Sequence, residues 1–178
     1  KSNLSKEEKD IVIQEGTVGI ANSSIRYINS VQLPSTLKYI GDRAFQNQYP
    51  YINLSEMNLP EGLISIGDYA FENCDNLTSI TIPGNVESIG ESAFYSCDNL
   101  TDVTLQDGVK SIGDAAFIWC NNLTNIVLPN SITSIGDWAF KDCTSLTSIK
   151  IPSSVTSIHD PFYNCFSLKT ISLDCNSP

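Results

Sequence analysis

The cysteines are the residues whose type and spacing point most directly to chemistry. The chain holds six, and five recur every 22 or 23 residues: Cys74, Cys97, Cys120, Cys143 and Cys165. Thiolates can bind zinc, but a zinc site needs ligands that converge on one ion, and side chains repeated along stacked coils form a line instead. Cysteine also behaves as a small buried apolar residue. We therefore predict a line of buried free thiols and no metal site.

A disulfide is the other chemistry open to these cysteines. Neighbouring thiols of the line would lie within bridging distance, but parallel Cβ vectors suit a bridge poorly. Cys175 lies outside the line, so a bridge between Cys165 and Cys175 remains an open alternative.

Acidic residues with the same spacing offer a second set of possible ligands. They are Asp42, Asp68, Glu91, Asp114 and Asp137. Carboxylate oxygens are ligands that calcium accepts. Each of these residues, however, follows a glycine and comes just before an Ala-Phe pair, where a carboxylate is well placed to cap a short helix. We predict helix caps rather than calcium ligands.

Nucleophilic catalysis requires a serine or cysteine held beside a base. The single histidine, His159, stands where other units have glycine, and no recognised motif places a nucleophile with it. We predict that the protein is not an enzyme, has no catalytic residues and uses no cofactor.

Exposed aromatic residues form a candidate binding surface. Trp138 lies two residues before a repeated phenylalanine and Trp119 two residues after another, so at helical spacing both point outward on neighbouring coils. Tyr69 has the position of Trp138, and Tyr95 is close by. The prediction is a convex aromatic patch of Tyr69, Tyr95, Trp119 and Trp138 that could stack on sugar rings or anchor a protein. Packing between coils is the alternative role.

The phenylalanines show how these residues are positioned. Phe45, Phe71, Phe94, Phe117, Phe140 and Phe162 are six of the seven in the chain, and they are separated by 26, 23, 23, 23 and 22 residues. A period of this length, with apolar residues at fixed offsets, is typical of a solenoid. We predict that the six rings stack in a single row inside it.

Each unit also contains a segment such as Leu77-x-x-Ile80-x-Ile82-Pro83. Its alternation is typical of a half-buried strand, and proline ends it because proline cannot donate a ladder hydrogen bond. Stacked units would join these strands into a parallel sheet. The outward strand positions form the predicted concave binding face: Ser79, Thr81, Asp102, Thr104, Asn125, Val127, Ser148 and Lys150.

A glycine recurs between the strand segments, at Gly67, Gly90, Gly113 and Gly136. Glycine at one phase of a repeat indicates a turn with positive φ, and His159, in the last unit, is of a type enriched there. The Ala-Phe-x-x-Cys segment that follows is predicted to be a short helix, because Phe and Cys at i and i+3 then share its inner face.

The chain divides into three parts on this pattern. Residues 1–27 do not keep the period and are predicted to be an N-terminal cap, with a short helix from the Ser5/Glu8 capping box and a strand at residues 11–13. Residues 28–174 form about six units of about 23 residues, and residues 175–178 are a C-terminal tail. A net charge of −10 argues against nucleic acid or an anionic membrane surface as partner, and no apolar run is long enough to span a bilayer.

The repeating unit resembles the BspA-like subfamily of leucine-rich repeats. Residues 131–143, Ser-Ile-Thr-Ser-Ile-Gly-Asp-Trp-Ala-Phe-Lys-Asp-Cys, carry the resemblance, and related runs recur through roughly residues 28–174. The resemblance implies an α/β solenoid: a right-handed leucine-rich repeat superhelix with a parallel β-sheet on the concave face and short helical turns on the convex face. It also implies a bacterial cell-surface or secreted protein with a role in adhesion or host-protein binding, and it brings no catalytic residues.

The sequence leaves three candidate functions. The first is a non-enzymatic, extracellular or surface-displayed module that binds protein. The second is a structural spacer without its own ligand, and the third is a glycan-binding module that uses the convex aromatic patch. After the last predicted strand, Ile171-Ser172-Leu173, few residues remain to cover the final coil, so end-to-end homo-oligomers through this coil are a further hypothesis.

Overall fold

The computed structural model describes residues 9–25, 28–47 and 54–173, and its strands fall into two rows. The first row holds β1 (Lys9–Val12), β3 (Ile28–Gln32), β5 (Glu56–Met57), β7 (Ser79–Ile82), β9 (Asp102–Leu105), β11 (Asn125–Val127), β13 (Ser148–Ile151) and β15 (Thr170–Leu173). The second row holds β2 (Gly19–Ile20), β4 (Tyr39–Ile40), β6 (Ser65–Ile66), β8 (Ser88–Ile89), β10 (Ser111–Ile112), β12 (Ser134–Ile135) and β14 (Ser157–Ile158). The chain is a parallel-strand solenoid, as the period predicted, and it has about seven turns rather than about six units.

The strands of the first row lie where the alternating segments predicted them. They form three parallel sheets, β1-β3, β5-β7-β9-β11 and β13-β15. In β7, Ile80 and Ile82 are buried and Ser79 and Thr81 are exposed. The register aligns equivalent residues of successive coils, so that Ile80 pairs with Val103 and Ile82 with Leu105. One side of each strand therefore faces the core and the other faces solvent.

The second row was missed by the sequence interpretation, which assigned its residues to a turn. All seven of its two-residue strands join in one parallel sheet. In each central coil the serine is partly or fully exposed and the isoleucine is buried, as with Ser111 and Ile112. Ile112 pairs with Ile89 on one side and Ile135 on the other. This second sheet gives each coil another hydrogen-bonded side.

The predicted helical turns are wrong, because the described residues contain no helix. In the segment after Gly113, alternate amides bond to two different places. Ala116 and Ile118 donate to carbonyls three residues back, at 3.3 and 3.0 Å, whereas Phe117 donates to the Ala139 carbonyl of the next coil at 2.8 Å. A continuous helix would keep all these donors within one coil. In the stacked coils, every second amide instead donates to the next coil.

None of the described segments forms a helix long and apolar enough to cross a membrane.

Two residues in most turn segments adopt left-handed backbone angles. One position is two residues before the phenylalanine, and the other is two residues after it. The first set is Arg43, Tyr69, Ser92, Ala115 and Trp138, with φ between 51° and 57°, and the second is Asn73, Ser96, Trp119, Asp142 and Asn164, with φ between 55° and 60°. A side chain in this conformation costs roughly 1–2 kcal/mol. The solenoid offsets that cost through its contacts between coils.

Replacing Ala115 by glycine is expected to stabilise the protein. Glycine carries no Cβ penalty at φ 54°, so Ala115→Gly should raise the free energy of unfolding by about 0.5–1 kcal/mol after the extra entropy of glycine is subtracted. Urea unfolding monitored by circular dichroism measures this. The matched control is Ala116→Gly: Ala116 is fully buried, and its change should lower stability by at least about 1 kcal/mol. Equal effects at both residues would contradict the interpretation.

A single row of aromatic rings runs through the core, as predicted. Successive ring centroids from Phe45 to Phe162 are 5.3, 5.1, 5.2, 5.5 and 5.7 Å apart, and the rings are stacked. Phe45, Phe71, Phe94, Phe117 and Phe140 are fully buried. Together with the strand isoleucines and the turn alanines they form one continuous apolar cluster.

The repeated glycines serve close stacking rather than positive φ, so that prediction is wrong. Among the described residues, the glycines with positive φ are Gly16 and Gly108. A Cβ on Gly113 would lie 2.7 Å from the Ile89 carbonyl oxygen and 2.8 Å from the Gly90 carbonyl carbon. The prediction for His159 fails with it, because the described residues of the last coil with positive φ are Asp160 at 34° and Asn164 at 59°.

At each end of the described solenoid the first-row strand pairs with one described neighbour, β1 with β3 and β15 with β13. Residues 9–25, predicted to be part of a cap, contribute β1 and β2 to the two rows, with β1 paired to β3 and β2 to β4. At the other end, Ile171 and Leu173 of β15 are 52% and 69% exposed, whereas the equivalent Ile149 and Ile151 are buried. The predicted helix at Ser5/Glu8 and the possible partner Cys175 lie outside the described residues.

Candidate functional site

The predicted concave face is a series of exposed side chains on the first row of strands, divided between the β5-β7-β9-β11 and β13-β15 sheets. All eight of its residues are exposed. Ser79, Asp102 and Asn125 follow one another in register, as do Thr81, Thr104 and Val127. Apart from Lys150 the side chains are short, and the face carries one negative and one positive charge, from Asp102 and Lys150. The result is a regular, polar face that leaves the strands accessible.

A depression of about 420 Å³ lies at the β5 end of this face. Ser79 and Thr81 line it together with Asn58, and Glu56 and Glu61 supply carboxylates. Sequence analysis did not single out these acidic residues, because the unit that contains them is irregular. Together with Asp102 of β9, they give this end of the face a negative charge.

The predicted aromatic patch is divided among separate groups. Tyr95 and Trp119 contact each other edge to face, with ring centroids 5.0 Å apart. The ammonium of Lys141 lies 5.1 Å from the Trp138 ring centroid. Tyr69 packs under the Arg43 guanidinium at 4.4 Å, and its hydroxyl donates to Glu91 at 2.8 Å. Among the residues that the structure describes, no ring contact joins Trp119 to Trp138.

Around Trp119 the turn face has a depression of about 340 Å³ with polar walls. Its lining residues are Ser96, Asp98, Trp119, Asn121, Asp142 and Thr144. The Trp119 indole Nε1 donates to Asp142 at 3.0 Å, and Asn121 Nδ2 donates to Asp98 at 3.0 Å. Sequence analysis identified the tryptophan but not the carboxylates beside it, which belong to the preceding and following coils.

The line of cysteines is buried and unbridged, as predicted. Cys74, Cys97, Cys120, Cys143 and Cys165 are free thiols. Each donates a hydrogen bond to a phenylalanine carbonyl of the preceding coil, as Cys120 does to Phe94 at 3.2 Å and Cys143 to Phe117 at 3.2 Å. Sequence analysis missed this acceptor, since it lies on another coil.

Burial keeps these thiols protonated. It raises the pKa of Cys120 to about 12 and that of Cys165 to about 11, from an ordinary value of 9.0. The pKa values of Cys97 and Cys143 rise well above 9.0 for the same reason, with neighbouring thiols adding to the effect. Because the thiolate is the nucleophile, the line is chemically inert in the folded state.

The repeated acidic residues join coils, and their predicted role as helix caps is wrong. Asp42 Oδ1 accepts from the Asp68 amide at 3.0 Å, and Asp114 Oδ1 accepts from the Asp137 amide at 2.8 Å. Asn22 does the same for the Asp42 amide at 2.9 Å. In the last coil, His159 Nδ1 lies 3.8 Å from Asp137. Among the described residues, no three His, Cys, Asp or Glu side chains are grouped so as to hold a metal.

The chain matches one protein-family model over most of its length. That model is the BspA type leucine rich repeat region, found in six copies over residues 20–121 and 110–177. No curated protein gives a significant match.

Solved structures of bacterial leucine-rich repeat proteins are similar to this chain. A leucine rich repeat protein of T. pallidum is 30% identical, with a TM-score of 0.60, and the match covers 74% of this chain and 57% of that one. A leucine-rich repeat protein from Bacteroides ovatus is 27% identical, with a TM-score of 0.58 and coverages of 92% and 55%. A leucine rich cell surface protein from Faecalibacterium prausnitzii is 25% identical, with a TM-score of 0.54 and coverages of 95% and 60%. The chain thus spans between half and two thirds of the length of each.

Proposed function

Because the chain belongs to the BspA-type leucine-rich repeat family, we propose that it is a non-enzymatic module, displayed on a bacterial surface or secreted, that binds another protein. A surface location is supported by the similar leucine rich protein from F. prausnitzii, which is a cell surface protein. The family and these relatives favour a binding module over an enzyme. End-to-end association through β15 remains a separate hypothesis.

The observation that carries this proposal is the accessible face of the first row of strands. Its side chains alternate strictly with core residues, so their positions are fixed by the register of the sheet. Short side chains such as those of serine and threonine have few rotamers to lose when a partner binds. A partner would therefore meet a preorganised polar surface with carbonyls and amides of the strands close behind it.

Partner contacts on this face are expected to centre on Thr81 and Thr104, which pair across β7 and β9. An arginine at Thr104 would cover the middle of the face with a long charged side chain. We expect Thr104→Arg to weaken binding by about tenfold or more, or ~1.4 kcal/mol. The measurement is surface plasmon resonance against a panel of extracellular-matrix and mucosal proteins.

The matched control is Thr133→Arg, which adds the same charge at an exposed threonine outside the strand face. Its affinity should stay within about twofold of the parent. Equal losses in both variants would show that the strand face is not the binding site. No saturable binding by the parent to any member of the panel would favour the spacer function.

A further inference from the structure

We propose that the depression around Trp119 is a carbohydrate-binding site in which a pyranose ring stacks on the indole. The site lies on the turn segments, away from the strand face, and it goes beyond the proposed protein binding. It also narrows the predicted aromatic patch to Trp119 and Tyr95, leaving out Trp138 and Tyr69.

Trp119 supplies the apolar platform. It is 43% exposed, and the Tyr95 ring meets it edge to face at 5.0 Å, which limits the directions in which the indole can rotate. At the same turn position the other coils carry Asn73, Ser96, Asp142 and Asn164. Those residues are small and polar, so one coil alone presents a large aromatic surface there. A fixed, partly exposed aromatic ring suits the C–H face of a sugar.

Polar side chains on three coils surround the platform. Asp142 accepts from Trp119 Nε1 through Oδ2 at 3.0 Å and from Asn164 Nδ2 through Oδ1 at 2.8 Å. Asp98 accepts from Asn121 Nδ2 at 3.0 Å. Each carboxylate oxygen has two lone pairs, so both residues keep acceptor capacity while neighbouring groups hold their orientation. The second Asn121 amide hydrogen adds a donor, and the Thr144 hydroxyl, which donates to the Asn121 backbone carbonyl at 3.3 Å, keeps acceptor capacity.

This mixture of groups favours a sugar over the other ligands that an aromatic ring attracts. A pyranose presents an apolar face together with hydroxyls that both donate and accept, and the depression offers a ring, acceptors and donors in one place. A volume of about 340 Å³ is at the small end of the range for ligand pockets. A cation would also be drawn to the indole and the carboxylates, but it cannot accept from the second Asn121 amide hydrogen, whereas a sugar hydroxyl can.

Trp138 shows why exposure alone does not make such a site. It is 50% exposed and has φ 57°, so it matches Trp119 in both respects. The Lys141 ammonium lies 5.1 Å from its ring centroid and 5.3 Å from that of Tyr163. A sugar would have to displace this cation from the Trp138 face.

The test is binding of the labelled protein to an array of immobilised mucin-type and bacterial cell-wall oligosaccharides. The parent is expected to bind a defined subset of glycans. Trp119→Ala should reduce that binding at least tenfold, and Trp138→Ala should change it less than twofold. Asp98→Ala should also weaken it, which keeps the proposal testable if Trp119→Ala folds poorly. Thermal unfolding of each variant checks the fold.

Three results would overturn the proposal. The first is that the parent binds no glycan on the array, and the second is that both tryptophan variants lose binding equally. The third is that millimolar tetramethylammonium chloride abolishes the binding that depends on Trp119, whereas the free form of an oligosaccharide bound on the array does not. The last result would identify a cation site instead. Thr104→Arg is expected to leave glycan binding unchanged, so failure of the strand-face proposal and failure of this one are separate outcomes.

Discussion

Between pH 10 and 11 the protein is expected to unfold at 25 °C. Five buried thiols stay protonated in the folded state, because burial raises their pKa values above the ordinary 9.0, to about 11 for Cys165 and about 12 for Cys120. In the unfolded chain they ionise near pH 9. Above that pH the unfolded state binds fewer protons than the folded state, so stability falls as pH rises.

The size of this effect follows from the number of thiols. Each contributes about 1.4 kcal/mol per pH unit, and five acting together contribute about 7 kcal/mol per unit once the unfolded thiols are ionised. The loss begins near pH 9 and continues up to the folded-state pKa values. Domains of this size have total stabilities of about 5–15 kcal/mol. A rise of about one to two pH units above pH 9 is therefore enough to unfold the protein. Far-UV circular dichroism against pH, with a reductant present, measures the transition.

Cys120→Ala provides the control for this prediction. It removes one thiol, so the stability lost between pH 8 and pH 10 should be smaller than in the parent by about 1.4 kcal/mol. Its stability at pH 7 should be lower than that of the parent, because the bond to the Phe94 carbonyl is lost. An unchanged pH dependence would show that buried thiols do not control alkaline unfolding. Tyr69 and Tyr95 are common to both proteins, so their ionisation cancels in the comparison.

Gly113→Ala is expected to destabilise the protein by about 3 kcal/mol. The added Cβ would lie 2.7 to 2.9 Å from backbone atoms of Ile89 and Gly90 on the preceding coil. Backbone in a stacked coil cannot turn aside as a flexible side chain can, so the two coils must separate. Because Gly113 has no positive φ, the expected cost is steric, and Gly113→Ser should be destabilised to a similar extent. Urea unfolding of the parent and both variants measures the change.

Gly19→Ala tests whether crowding, rather than loss of glycine itself, is responsible. Its added Cβ would meet Tyr39 Cβ at 3.7 Å, an ordinary van der Waals distance. The variant should be unchanged or up to about 1 kcal/mol more stable, because alanine restricts the unfolded chain. A loss at Gly19 as large as that at Gly113 would contradict the stacking explanation.

The row of phenylalanines and the first row of strands could be predicted because each leaves a direct periodic signal. The second row could not, since a pair such as Ser111-Ile112 is too short to show alternation. The helical prediction failed for a related reason. Phe117 and Cys120 both point inward, which is the spacing of one helix face, yet turns with hydrogen bonds to the next coil give the same spacing. The sequence alone does not separate the two arrangements.

The exposure of the candidate site residues could be predicted from the sequence, but the side chains that contact them could not. The exposed strand residues follow from alternation, and the exposure of Trp119 and Trp138 follows from their offsets from phenylalanine. Which groups surround each tryptophan depends on side chains of adjoining coils, such as Asp142 beside Trp119 and Lys141 over Trp138. Pairings between coils become visible only when the register of stacking is known.

Within the described ranges, the parallel strand pairings join each coil to the coil before it and the coil after it. A whole unit of about 23 residues could therefore be duplicated or deleted while the surviving junctions kept their geometry. Overall length then becomes a property that evolution can adjust in uniform increments without redesigning the interior. Longer relatives, of which the matched part of this chain covers 55–60%, can use the same local rules.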